Sequence, residues 1–133
     1  SGSGLSKQSY YLLPKIREVD GWLRKTSSPS VLLREAHPEV AFNAINGASL
    51  CHKKKTAEGF QERLALLRQL DDRVTTLTEN ILAATRRKDV AADDILDACC
   101  LALMVLRGKF QTLPATPEKD GKGLNMEICF YGS

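Results

Sequence analysis

Between Val90 and Arg107 the apolar residues Ile95, Cys99, Ala102, Leu103 and Leu106 recur with the period of an α-helix. No other stretch constrains the fold as much, because a helix with one apolar stripe needs a second layer to cover it. Asp89 stands where a cap is wanted, Asp93, Asp94 and Asp97 fall in the first two turns, and Gly108 can stop the helix.

The rest of the chain supplies that layer. Leu12, Ile16, Val19 and Leu23 form a helical stripe within Ser6–Lys25, with Ser6 as cap. Pro14 predicts a kink there, or a helix that properly starts at Leu13, and Ser27-Ser28-Pro29 ends the element. Val31–Ala36, bounded by Pro29 and Pro38, reads as a strand. Ala41–Ile45 suggests one helical turn, and Asn46-Gly47 a turn. Thr56 can cap a helix to about Leu70 with Phe60, Leu64 and Leu67 inward, and Val74 to about Arg86 is a further helix carrying Leu77, Ile81 and Ala84. A polar loop with Pro114 and Pro117, a turn at Asp120–Gly123 and a strand at Met126–Tyr131 close the chain. Ser1–Gly4 reads as a flexible linker or cloning scar, and 5–133 as a single domain.

At 133 residues and a net charge of +3 the chain is mildly basic, too little to announce nucleic-acid binding by charge alone. No stretch approaches the roughly 18 apolar residues of a membrane span. No signal-peptide pattern is visible at the start. Cys51, Cys99, Cys100 and Cys129 lack zinc spacing and suit thiols of a reducing compartment, so the expected location is cytoplasmic. Nucleotide-cofactor and acyl-transfer motifs are absent.

Two features invite chemistry. On the strand, Val31, Leu33 and Glu35 share one face, and a carboxylate there needs a partner or a cation. On the last helix, Asp93, Asp94 and Asp97 crowd together on neighbouring turns. The helix N-terminus offsets their repulsion by roughly 0.3–1 kcal/mol per charge, and such acids are also ordinary helix-end residues. A divalent ion offsets far more, and hard carboxylate ligands suit Mg²⁺ or Mn²⁺. Such ions can activate water in phosphodiester cleavage. Lys53–Lys55 can hold a phosphate backbone, although no aromatic residue accompanies it for base stacking. His37 and His52 stand beside no nucleophile.

A family resemblance rests on several blocks in order. They are Leu5–Gln8, Pro14–Asp20, Glu35–Phe42, Lys54–Thr56 with Gly59 and Arg63, Asp93–Ala98, and the ending Gly123-Leu124 with Met126–Ile128. Together they resemble domain-of-unknown-function family 429, described as predicted RNase H-like nucleases, over nearly the whole chain. The Asp-x-x-Asp-Ala pattern is also similar to the last motif of RuvC-type resolvases. The resemblance implies an α/β chain, the helix-rich C-terminal part of an RNase H-like fold, with a mixed sheet flanked by helices. It makes Glu35, Asp94 and Asp97 the metal-holding acids, with His37, Glu39 and Asp93 in support. Lys54, Lys55 and Arg63 become phosphate contacts or salt-bridge partners.

Members of that family begin with an Asp-bearing strand that has no counterpart here. The resemblance therefore implies a C-terminal half whose first acid and strands come from a missing N-terminal part, a partner chain or another copy. A lone strand at Val31 would otherwise leave two unpaired edges. The expected function is metal-dependent phosphodiester hydrolysis, with nucleic acid as partner. The rivals are a non-catalytic interaction module and a small-molecule phosphoesterase.

Overall fold

The computed structural model describes residues 6–25, 32–108 and 110–131. The expectations for Ser1–Gly4, Ser27–Pro29 and Val31 lie outside the described residues. The chain divides into two compact units, residues 1–33 and 34–133.

The first unit is built on helix α1, Lys7–Lys25. Ser6 Oγ accepts the Ser9 N–H at 3.1 Å, the cap expected of it. The helix runs on through Pro14 rather than starting beside it. Tyr10, Tyr11, Leu12, Ile16 and Trp22 are all exposed.

The second unit contains, among the described residues, helices α2 (Pro38–Asn46), α3 (Ala57–Leu70), α4 (Val74–Ala84) and α5 (Ala92–Arg107), then strands β1 (Phe110–Lys119) and β2 (Asn125–Tyr131). The chain is thus mixed α/β, with a two-stranded antiparallel sheet. Pro38 starts α2 where its missing N–H costs nothing, so the single turn expected at Ala41–Ile45 is longer at its front. Thr56 Oγ1 caps α3 by accepting the Gly59 N–H at 3.0 Å. Gly108 ends α5 in the left-handed conformation at φ 65°, which a residue without a side chain adopts freely.

The core joins Ala41 and Phe42 of α2, Leu66 and Leu67 of α3, Val74 of α4, and paired positions of α5: Ile95 with Leu96, Cys99 with Cys100, Leu103 with Met104. Phe130 and Tyr131 of β2 pack against it. On α5 the buried stripe is displaced from the expected one. Ile95, Cys99 and Leu103 are inside, but Ala102 and Leu106 are exposed. The stripe is two residues wide and returns every four, so Leu96, Cys100 and Met104 complete it. Burial pushes the Cys100 thiol up to about 12, with the carboxylates of Asp97 and Glu39 adding to the effect.

Three local expectations are corrected. Asp89 does not cap α5; it binds Arg86 at 2.7 Å, and Ala91 is the cap residue. Leu32–Glu35 forms no strand; only Ala36 bridges, in parallel, to Cys129, whose N–H donates to the Glu35 carbonyl at 2.7 Å. The segment with Pro114 and Pro117 is not a loop but part of β1, paired through Leu113 and again from Glu118 with an irregularity between. Two prolines that cannot donate fit such an edge strand.

Candidate functional site

Two clusters of acids and cations form where the loop before α3 meets α2 and α5. Consecutive residues of α3 fix that loop. The Glu62 carboxylate accepts the N–H groups of Cys51 at 2.8 Å and His52 at 3.0 Å. These bonds, led by that from Cys51, hold its carboxyl below the usual range. Its oxygen also lies 3.4 Å from His52 Nδ1.

Arg63 holds the next peptide group of the same loop. Its guanidinium donates to the carbonyls of His52 at 3.2 Å and Gly59 at 2.9 Å. It also pairs two-pronged with Glu39 of α2, at 3.0 and 2.7 Å, and lies 5.7 Å from the centre of the Phe42 ring. Only 2% of Arg63 is exposed. Gly59 permits this closeness, because a Cβ there would stand 2.0 Å from the Lys53 carbonyl oxygen. The Thr56 backbone and hydroxyl both donate to that oxygen, at 3.0 and 2.9 Å.

The loop so held delivers Lys54 to α5. Its Nζ lies 3.1 Å from Asp97 Oδ2 and 3.5 Å from Asp93 Oδ2, carboxylates one turn apart on one helix face. The hydrogen bond that Lys54 donates to Asp97 leads in raising the Lys54 pKa above its ordinary value. The other oxygen, Asp97 Oδ1, is buried without a hydrogen-bond partner. An acceptor in that condition costs about 1–3 kcal/mol. Beside this cluster a shallow depression of about 430 Å³ is lined by Glu39, Asn43, Leu50, Cys51, His52 and Lys54.

The expected site residues therefore fall into separate groups. Asp97, Asp93 and Lys54 come together, as do Glu39 and Arg63. Of the two roles expected for Lys54 and Arg63, the structure gives both the ion pair, and burial leaves Arg63 no open face for a phosphate. Asp94, Lys55, His37 and Glu35 are exposed. Among the described residues, no group of three or more His, Cys, Asp or Glu side chains is placed to hold a metal. Glu62 was not singled out from the sequence. An acid in the second turn of a helix, facing a basic loop, is a faint sign of such a peptide clamp.

What these residues build is a mixed α/β unit with a lysine-bridged acidic pair on its last helix. The chain belongs to the family described as Protein of unknown function (DUF429), whose model matches residues 1–119. That match takes in the described helices and β1 and stops before β2, so the resemblance at Gly123–Ile128 lies beyond it. Neither curated proteins nor solved structures yield a match. No helix among the described residues is long and apolar enough to cross a membrane.

Proposed function

We propose that the chain is part of an RNase H-like, metal-dependent phosphodiester hydrolase. The observation that carries this reading is Asp97, with one carboxylate oxygen on Lys54 and the other buried and unpartnered, one turn from Asp93. Such an arrangement suits a cation better than it suits a lysine alone. Mg²⁺ is commonly held by one or two carboxylates, with water and substrate phosphate filling the remaining positions. Asp97 and Asp93 fit that requirement without a third protein ligand, and Asp94 and Glu35 are the further carboxylates of the reading. When bound, Mg²⁺ or Mn²⁺ supplies an activated water and stabilisation of the leaving oxygen.

The chain's own residues set the stage for that chemistry. Glu62 and Arg63 fix the loop, and the loop places Lys54 where it neutralises the acidic pair. Support for the RNase H-like part comes from the resemblance carried by the Glu35–Phe42 and Asp93–Ala98 blocks and from strand polarity. An antiparallel hairpin carries a parallel bridge at Ala36 on its far side, the start of a mixed sheet.

Calorimetric titration with Mn²⁺ tests the reading on the chain and its Asp97→Asn variant, with folding of both checked by circular dichroism. Saturable binding that the variant loses is expected. A folded chain that binds no Mn²⁺ overturns the metal reading and leaves the acids as counterions of Lys54 in an interaction module. Where binding is found, polynucleotides and a chromogenic phosphodiester are the substrates to compare. Cleavage of the small ester alone identifies a small-molecule phosphoesterase instead.

A further inference from the structure

We propose that the basic loops in front of α3 and α5 form one surface for a nucleic-acid backbone, contacted by Lys53, Lys55, Arg87 and Lys88. This rests on the nucleic-acid part of the reading above and does not need its metal.

Lys54 establishes the juxtaposition. Its bonds to Asp93 and Asp97 hold loop 53–55 against the first two turns of α5. The second basic run, Arg86–Lys88, leads into the same helix end. From Lys88 to Asp93 the chain spans at most about 18 Å fully extended. A turn shortens it, because the N–H groups of Asp89 and Val90 donate to the Arg86 carbonyl at 2.8 and 3.1 Å. Both runs therefore approach the same first turns of α5, where one stretch of backbone, with charges about every 3.4 Å along a strand, can run past the two.

Within the two runs the cations divide by commitment. Lys54 is taken by Asp97 and Asp93, and Arg86 by Asp89. Lys53, Lys55, Arg87 and Lys88 are exposed, and their side chains make no ion pair or hydrogen bond among the described residues. On the acidic side, Asp93 and Asp97 are only 15% and 18% exposed, and Asp89 is exposed but paired with Arg86, which leaves Glu58 and Asp94 as the unpaired open acids of that end. The exposed cations Lys53, Lys55, Arg87 and Lys88 outnumber those two acids, so the outward charge is positive on balance.

The composition of the loops selects the partner. Lys53–Thr56 and Thr85–Asp89 contain no aromatic or large apolar side chain. Such loops have nothing to sink into a bilayer and no pocket-filling anchor for a peptide. A sugar–phosphate backbone asks only for spaced cations. Without stacking residues the contact is indifferent to base sequence.

Fluorescence anisotropy of labelled oligo(dT) with the full chain in EDTA tests this surface. Four contacts predict a log–log salt slope of about −2.8 for a single strand. Lys53→Glu with Lys55→Glu, and separately Arg87→Glu with Lys88→Glu, are each expected to remove about 1.4 from that slope and to weaken binding about tenfold or more. The same charge change at the hairpin cations, Lys119→Glu with Lys122→Glu, is expected to leave the slope unchanged. All of these positions are exposed, and circular dichroism confirms folding. The proposal is overturned by a folded chain that does not bind, by equal losses from the hairpin pair, or by binding to phosphatidylserine vesicles in place of the oligonucleotide. EDTA removes divalent ions, so this result and the Mn²⁺ titration succeed or fail independently.

Discussion

Two cation–carboxylate clusters share the space between α2, α3 and α5, and they are built in opposite ways. Arg63 with Glu39 is closed: the guanidinium is buried, forked onto the carboxylate and bonded to two carbonyls. Lys54 with Asp97 and Asp93 is open: the lysine is about a third exposed, and one buried oxygen has no partner. A buried charge with its hydrogen bonds satisfied belongs to the scaffold, because removing one member strands the other. A lysine a third exposed between two acids is a counterion that a ligand can displace.

The largest effect should come from breaking the closed cluster. Arg63→Ala removes the Glu39 pair and two bonds to loop carbonyls at once, and should lower stability by about 3 kcal/mol in urea unfolding. A loss below about 1 kcal/mol would erase the distinction between the clusters. The open cluster should respond differently. Lys54→Met should cost about 1–2 kcal/mol, less than Arg63→Ala, because the carboxylates it leaves are mostly buried but lie beside a third-exposed position that water can fill, while strengthening Mn²⁺ binding in calorimetry. Weaker binding would make Lys54 part of the ligand site rather than its stand-in.

The smallest effect concerns the Glu62 clamp and is read by pH. Its carboxyl is held below its ordinary value of 4.5, so the folded state binds fewer protons than the unfolded one. The stabilisation is complete above about pH 4.5 and is lost as pH falls through the lowered value. Glu62→Gln should flatten that acid limb and speed amide exchange at Cys51 and His52 at neutral pH. An unchanged acid limb in the variant would remove Glu62 from the account of how the loop is held.

Much of this was legible beforehand where local rules govern. Thr56, Gly108 and the period of α5 placed two helices within a residue or two, because caps and stripes act over one turn. Tertiary context overrode the rest. Leu106 has the right spacing for the core and is exposed, since the layer covering α5 spans two adjacent positions per turn. The strand expected at Val31–Ala36 shrank to one bridge at Ala36, because β-propensity does not supply a neighbour to pair with. At the site, the spacing of Asp93 and Asp97 put them on one face, but nothing local revealed that Lys54, 43 residues earlier, would sit between them. The clamp by Glu62 was hidden for the same reason: its partners are peptide groups, which every sequence has.

That clamp separates shape from chemistry. The loop is held by the N–H groups of Cys51 and His52, the carbonyls of His52 and Lys53, and one lysine side chain, that of Lys54 on α5. Residues 53 and 55, whose side chains are outside that set, can therefore be recoded while the path stays fixed. A library at these positions would vary what the loop recognises on a backbone that does not have to be redesigned, which makes it the natural place to graft a new specificity onto this fold.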